Sequence, residues 1–92
     1  MLTVHKFPIQ IADDQELNLP KDARVLTIQA QRDKPCLWAL VDPEEAEAER
    51  WQLVTLGTGH PAPPDLAMFG YFATYQLREG ELVFHVYLRR VQ

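Results

Sequence analysis

The sequence is short of the residues that several functions require: it has no serine, one cysteine and no long apolar run. Without serine there is no serine nucleophile, and catalysis through an aliphatic hydroxyl would fall to threonine. Cys36 alone cannot form an internal disulfide, so packing must hold the fold together, and a reducing compartment suits the chain. No stretch approaches the ~20 apolar residues of a membrane span, and Met1–Lys6 lacks a signal-peptide core. We therefore expect a cytoplasmic protein.

Basic residues are also scarce, since nine Lys and Arg stand against thirteen Asp and Glu and the net charge is −4. Proteins bind duplex nucleic acid by neutralising its phosphates, which this composition does not support. Apolar residues make up 47% and charged residues 24%, as in ordinary globular proteins. We expect one domain over residues 1–92, with neither duplex nucleic acid nor a membrane as its partner.

Turn-forming residues recur about every ten residues, which predicts an all-β fold. The expected architecture is an antiparallel sandwich, a roll or a partly open barrel of about seven strands. The acidic segment 44–49 leaves an alternative, a β-rich fold with one short helix, because Asp42 could cap that helix and Pro43 could begin it. Pro8 should place the first strand, residues 2–11, at a sheet edge, since proline lacks a backbone donor.

Two segments alternate as half-buried antiparallel strands do. In the first, Val25–Gln31, the predicted core-facing residues are Leu26, Ile28 and Ala30. In the second, Leu82–Leu88, the residues predicted to face away from the core are Val83, His85 and Tyr87. Arg78–Gly80 is predicted to connect this last strand to an aromatic strand over residues 69–76 as a hairpin.

The segment Cys36–Val41 does not alternate, because both of its faces are apolar. A small antiparallel sheet has one inner face, so the other face of this strand needs a cover from elsewhere in the chain or from another protein. Trp38 cannot be assigned to the core face, and tryptophan is enriched at protein interfaces. The segment therefore favours a homodimer or another protein partner.

The segment Gly57–Pro64 combines two glycines, one histidine and three prolines. Glycine permits positive φ and close approach of a partner, and successive amides in such a turn can bind an anion. Prolines restrict the loop and lower the cost of ordering it on binding. The segment predicts a preformed recognition loop in which His60 contacts a partner or a small anionic ligand. The alternative is a purely structural crossover between two strands.

The sequence offers no complete catalytic or metal-binding set. His5, His60 and His85 are isolated from one another, whereas zinc ligands are usually paired locally. Thr58 lies two residues from His60, which does not by itself make a nucleophile–base pair. The acidic run 44–49 is typical of a solvated face. We therefore predict no catalytic residue, no metal and no cofactor, and expect a function other than catalysis.

The predicted binding residues combine the glycine–histidine loop with aromatic and histidine side chains outside the predicted core. They are Gly57, Thr58, Gly59, His60, Trp38, His85 and Tyr87.

Three motifs are the most distinctive parts of the chain: Cys36–Asp42 (CLWALVD), Gly57–Pro61 (GTGHP) and Leu82–Val86 (LVFHV). With them, the chain resembles a family of small phage and prophage proteins of unknown function. The resemblance extends over nearly the whole chain and implies a phage-derived source and a single β domain. It implies no catalytic residue.

Two functions are consistent with these patterns. The first is a non-enzymatic interaction protein of phage or prophage origin that forms a homodimer or binds another protein. The alternative is a small-molecule-binding protein that sequesters a nucleotide-like ligand and so acts against a host defence system. The alternative would use the glycine amides, His60 and a stacking aromatic side chain.

Overall fold

The computed structural model describes residues 1–91, which form seven strands in two antiparallel sheets. The strands are β1 (Thr3–Pro8), β2 (Asp14–Pro20), β3 (Arg24–Gln31), β4 (Lys34–Val41), β5 (Ala48–Gly57), β6 (Gly70–Leu77) and β7 (Leu82–Val91). One sheet has the order β1-β4-β3, and the other has the order β2-β5-β7-β6. The two sheets do not close into a barrel. Their seven antiparallel strands confirm the prediction of an antiparallel all-β fold. Within residues 1–91, no helix has the length and apolar character to cross a membrane.

The core lies between the facing sides of the two sheets. Leu37, Ala39 and Val41 of β4 contribute from the three-stranded sheet, and all three are buried. Leu53 of β5 and Val86 of β7 contribute from the four-stranded sheet and are also fully buried. Each large apolar side chain buried in this way stabilises the fold by about 1.5–3 kcal/mol. Since the chain has no disulfide, this packing is the main source of stability.

The first strand lies at an edge of its sheet, as its proline predicts. β1 pairs only with β4, and Pro8 stands opposite Cys36 at the end of that pairing. Proline removes one ladder hydrogen bond, which an edge strand tolerates. The next residue, Ile9, restores the connection by donating its backbone N–H to the oxygen of Pro35 at 3.2 Å.

The predicted orientation of Leu26 is wrong because β3 contains a bulge. The register against β4 shifts between Val25 and Thr27, so Leu26 is the extra residue. A bulge interrupts the alternation of faces. Val25 consequently packs against the core, while Leu26 is 46% exposed on the outer face. Ile28 and Ala30, beyond the bulge, face the core as predicted.

The alternative of a short helix over residues 44–49 is also wrong. Asp42 does accept a hydrogen bond from the N–H of Glu44 at 3.0 Å, as a cap would. The chain completes only a turn there, in which the N–H of Glu45 donates to the oxygen of Asp42. It then extends into β5, where Glu49 pairs with Leu19 of β2. Strand pairing in the sheet outweighs the local helix-start signal. The helical turns within residues 1–91 are two short 3₁₀ turns, Leu66–Met68 and Arg78–Gly80.

The terminal hairpin forms as predicted, with Arg78–Gly80 connecting β6 to β7. Arg78, Glu79 and Gly80 all have positive φ, which the tight connection requires. The N–H of Arg78 donates to the side chain of Asp33 at 3.1 Å, so the β3–β4 turn and the β6–β7 turn are joined. This contact links the two sheets at one end.

The connection from β5 to β6 positions the candidate site. Each of these strands is antiparallel to β7, so they run parallel to each other, and residues 58–69 must return along the sheet. We call residues 58–69 the crossover. It starts beside Gly57, which pairs with Phe84, and ends beside Gly70, which pairs with Leu88. Phe69 lies under the guanidinium of Arg89, an outward-facing residue, so the crossover runs over the outer face of the four-stranded sheet.

Candidate functional site

The two glycines at the start of the crossover have different roles. Gly59 has a φ of 88°, a region that glycine enters without strain. Gly57 instead leaves room for His60, because a Cβ at this position would lie 3.0 Å from two atoms of the His60 imidazole. The N–H of His60 donates to the oxygen of Gly57 at 3.0 Å and closes the turn. The GTGH motif therefore encodes a tight turn with its imidazole folded back on the chain.

The backbone amides of this turn are engaged within the protein. The N–H of Thr58 donates to the oxygen of Val83 at 3.1 Å, and that of His60 is held by Gly57. An anion-binding concavity needs several N–H groups that converge on open space. The turn therefore offers less to an anion than the sequence pattern indicates.

His85 lies at the centre of a side-chain network that fixes the crossover to the sheet. Its Nε2 lies 2.7 Å from the hydroxyl of Thr58, and its Nδ1 lies 3.0 Å from the hydroxyl of Thr74. The hydroxyl of Tyr71 then lies 2.7 Å from that of Thr74. Both ring nitrogens of His85 are engaged, so the imidazole has one orientation. The network joins the crossover to β6 and β7.

A threonine hydroxyl bonded to an imidazole is the first half of a nucleophile–base pair. Here the group that orients the imidazole is the neutral hydroxyl of Thr74, where hydrolytic triads use a carboxylate. Neither Thr58 nor His85 lines the large cleft described below. The geometry accounts for this pair as an anchor of the crossover.

Tyr87 lies next to this network on the outer face of the four-stranded sheet. Its ring meets that of Tyr71 edge to face, with centroids 5.5 Å apart. Tyr71 is 58% exposed, so the pair presents an aromatic surface to solvent. The outward orientation predicted for His85 and Tyr87 agrees with these contacts.

A second series of side-chain contacts crosses the same face nearer the end of the crossover. The guanidinium of Arg89 stacks on Phe69 at 4.5 Å from the ring centroid, and its Nε donates to Gln52 at 3.1 Å. Gln52 in turn donates to both carboxylate oxygens of Asp14, at 2.9 and 3.0 Å. This series connects β7, β5 and β2 and holds the far end of the crossover.

A cleft of about 540 Å³ lies between the crossover and β5. We call it the crossover cleft. Its apolar walls include Val54, Leu56 and Pro61. Its polar residues are Asp13 and Asp14 at the start of β2, together with His60 and Asp65 of the crossover.

Trp38 lies elsewhere, on the outer face of the three-stranded sheet. Leu40 of the same strand and Val4 of the neighbouring strand share that face, and Val4 stands directly opposite Leu40. Leu26, displaced by the bulge, extends the patch. We call Val4, Leu26, Trp38 and Leu40 the apolar face. The strands of residues 1–91 form two layers, and the second layer packs on the opposite side of this sheet.

Cys36 lies at one end of this sheet and is buried. Its thiol donates to the oxygen of Lys34 at 3.5 Å. The side chain of Lys6 reaches across β4 to the amide oxygen of Gln31 at 2.8 Å, and this bridge helps to cover the thiol.

The structure therefore divides the predicted site residues into two groups. Those on or beside the four-stranded sheet are Gly57, Thr58, Gly59, His60, His85 and Tyr87. Trp38 is separated from them by the core. Sequence reasoning missed Tyr71, Thr74, Asp13 and Asp65 as neighbours of the loop. The alternation of β6 could have placed Thr74 outward, but only the strand register brings it to His85.

The three histidines do not come together as a metal site. His5, in β1, pairs with Ala39 of β4 in the three-stranded sheet, whereas His85 lies in the four-stranded sheet. Over the described part of the chain, no group of three or more His, Cys, Asp or Glu side chains is arranged to hold a metal ion.

Comparison with known proteins identifies a family for the chain. The model of the family described as "Domain of unknown function (DUF7352)" matches residues 1–92. No curated protein and no solved structure matches the chain.

Proposed function

Because the chain belongs to a family described as a domain of unknown function (DUF7352), we propose its function from the structure itself. We propose that it is a non-enzymatic interaction protein that binds a second copy of itself through the apolar face. One observation carries this proposal: the central strand of the three-stranded sheet has a second apolar side with no covering layer within residues 1–91.

The exposure of the apolar face supports an interface. Val4 is 50% exposed and Leu26 is 46% exposed, while Trp38 and Leu40 between them are half-buried by their neighbours. Completing the burial of such side chains contributes up to about 1.5–3 kcal/mol for each one. Contiguous apolar patches on a monomer commonly mark interaction sites. A partner that covers four of them gains a large share of the free energy that a stable complex needs.

The charges at the two ends of this sheet favour a second copy as the partner. Near the β3–β4 turn, Arg32 and Lys34 line a shallow depression with Lys6, which stands opposite Trp38, and these three cations exceed the one carboxylate of the turn, Asp33. At the other end, Asp42, Glu44 and Glu45 follow β4, in excess over Arg24, which is nearby and pairs with Leu40. A twofold axis that lies between the two copies, parallel to the sheet and perpendicular to its strands, would bring the basic end of each copy to the acidic end of its partner. Such an interface is isologous and electrostatically complementary.

The experiment is sedimentation equilibrium of the unmodified chain and of Val4→Lys over about 1 μM to 1 mM, a range that covers weak and tight dimers. We expect a dimer for the former and a monomer for the latter. Because Val4 is half exposed in the free chain, Val4→Lys should keep its circular dichroism spectrum and its unfolding temperature at low concentration. The control is Met68→Lys, since Met68 is 67% exposed and lies in the crossover on the other sheet. A monomeric unmodified chain at the highest concentration overturns the proposal.

Two further properties belong to this proposal and rest on the sequence. The family resemblance supports a phage or prophage source, and the single cysteine, which is compatible with a reducing compartment, supports a cytoplasmic location. Phage genes on both sides of the coding sequence would support the source. Fractionation of a cell that expresses the intact gene would test the location.

Fewer observations support the alternative, in which a nucleotide-like ligand binds at the Gly57–Pro64 loop. The amides of Thr58 and His60 already have partners. The cleft beside the loop carries Asp13, Asp14 and Asp65, which would repel phosphate groups. Trp38, the aromatic residue suggested for stacking, lies on the other sheet.

A further inference from the structure

We propose that the crossover cleft binds a small organic cation, an ammonium or guanidinium group carried on a short apolar stem. The cleft lies on the four-stranded sheet and shares no residue with the apolar face, so this site is independent of self-association. Three features carry the inference: the shape of the cleft, the charge of its rim and the apolar character of its walls.

The shape fits a small ligand and is set before binding. A volume of about 540 Å³ lies within the range of small-molecule sites. Pro61 and Pro63 line the cleft on the crossover side, where they restrict the backbone. The crossover is anchored at its start by the contact of Thr58 with His85 and at its end by that of Phe69 with Arg89. A ligand therefore meets walls that are already ordered, and little conformational entropy is lost on binding.

The rim of the cleft carries negative charge that the protein does not neutralise. No lysine or arginine lines the cleft, and over residues 1–91 the carboxylates of Asp13 and Asp65 take part in no ion pair or side-chain hydrogen bond. Asp14 is bonded to the neutral amide of Gln52. Arg89 is the nearest cation in this chain of contacts, but Gln52 separates it from Asp14. A ligand cation would supply the missing countercharge.

The interior of the cleft favours an apolar stem behind that charge. Val54 and Leu56 form its floor on the outer side of β5, and Val54 is only 6% exposed although it faces away from the core between the sheets. Thr55, between these two residues, pairs with the core residue Val86 and its side chain faces the core, so the floor of the cleft is apolar. The combination fits an alkylammonium or alkylguanidinium ion better than an anion or a bare metal ion.

The first experiment is an NMR titration of the ¹⁵N-labelled full chain with n-butylammonium, n-butanol and butyrate, three probes of similar shape and different charge. We expect n-butylammonium to shift the amide signals of Leu56 and His60 and to bind at least about tenfold more tightly than n-butanol, with no binding of butyrate. Equal affinities for the ammonium and the alcohol, or no shifts at the cleft with any probe, would overturn the proposal.

Variants assign the effect to the two free carboxylates. Asp13→Asn and Asp65→Asn should each weaken n-butylammonium binding about fivefold, since partly exposed ion pairs are worth up to about that factor. Glu81→Gln is the matched control, because it removes one negative charge at the β6–β7 turn and should leave the affinity unchanged. Both aspartate variants should keep the fold, as neither side chain holds a hydrogen bond within residues 1–91. Affinity that follows the net charge equally in all three variants contradicts a specific site.

The source of the cation is distinguished by two further probes. An acetylated and amidated Gly-Lys-Gly peptide represents a side chain of a protein partner, and agmatine represents a free polyamine-like molecule. Binding of agmatine alone identifies a small-molecule ligand, and equal binding of the peptide identifies a lysine side chain. If neither of these probes binds and n-butylammonium does not bind either, the site is refuted. Val4→Lys should bind all probes normally, which separates this outcome from that of the dimer.

Discussion

The outer faces of the two sheets differ in how far the rest of the chain covers them. The four-stranded sheet is covered on its outer side by the crossover, which buries Phe69 and Val54 there. Over residues 1–91 the three-stranded sheet has no such segment, and Val4 and Leu26 remain about half exposed. The difference arises from connectivity. β5 and β6 run parallel, so their connection has to return along the sheet and becomes a cover. β3 and β4 are joined by a tight turn, which leaves no residues to spare.

The largest expected effect tests whether the two sides of β4 differ as described. Leu37→Ala removes a fully buried core side chain and should lower the free energy of unfolding by about 2–5 kcal/mol. Leu40→Ala, on the apolar face of the same strand, should cost distinctly less at protein concentrations where the chain is monomeric. Urea denaturation at low concentration measures both.

The same two variants should also differ in their effect on self-association. At high concentration, Leu40→Ala should shift the monomer–dimer equilibrium, which sedimentation detects, because Leu40 is part of the proposed interface. Equal destabilisation by the two substitutions at low concentration would mean that Leu40 is already covered within one chain.

A somewhat smaller effect is expected at the turn that begins the crossover. Gly59→Ala places a Cβ on a residue with a φ of 88° and should cost about 1–2 kcal/mol. Gly57→Ala should act differently, since its Cβ meets the His60 ring and not an unfavourable φ. Combining Gly57→Ala with His60→Ala should therefore restore most of the loss. Thermal unfolding of the four variants tests this, and additive losses in the double variant would contradict it.

The network around His85 should contribute about 1 kcal/mol, the usual net value of a hydrogen bond. Thr58→Val removes the 2.7 Å contact to His85 and should speed hydrogen exchange in residues 58–69 while β1, β3 and β4 keep their protection. Thr3→Val, at the first residue of β1, is the control. Exchange that rises equally in both sheets would show that the crossover is not a separate cover.

The smallest expected effect concerns the β2–β3 turn, where the chain passes from one sheet to the other. The N–H of Asp22 donates to Glu49 at 2.6 Å, and this bond lowers the pKa of the Glu49 carboxyl, with a further contribution from Arg90 at 2.9 Å. A lowered pKa stabilises the fold above the ordinary glutamate pKa, and the stabilisation is lost as the pH falls through the lower value.

The measurement for this turn is the unfolding temperature as a function of pH. Glu49→Gln should lower it at neutral pH and should show a shallower decline in acid than the unmodified chain. Glu81→Gln again serves as the control. An unchanged acid limb in Glu49→Gln would show that this carboxylate has no role in joining the sheets.

Much of the fold could be predicted because its signals are local. Alternation in residues 82–88 placed Val86 in the core and His85 outside, and Pro8 marked an edge strand. The bulge at Leu26 could not be predicted, since nothing in residues 25–31 shows which residue the partner strand will skip. The cap predicted at Asp42 forms its first hydrogen bond, but no helix follows because the next residues pair with β2 as part of β5.

The candidate site was harder to predict because its parts are distant in sequence. The GTGH turn identified the loop, and the loop does border the crossover cleft. The opposite wall comes from Asp13 and Asp14, some fifty residues earlier, and is brought there by the register of β2 against β5. For Trp38, the doubly apolar pattern indicated a face in need of cover, but no pattern in the sequence placed it on the sheet opposite the loop.

The position of β7 has a consequence for how the protein is made. This strand is the last of the seven to be synthesised, yet it lies between β5 and β6 in its sheet. While the chain emerges from the ribosome, β1, β3 and β4 can already pair, whereas β6 has no neighbour in its own sheet until residues 82–91 arrive. The nascent chain thus holds an unpaired aromatic strand until residues 82–91 have been synthesised, and translation pauses in that interval would leave it open to chaperones or to aggregation.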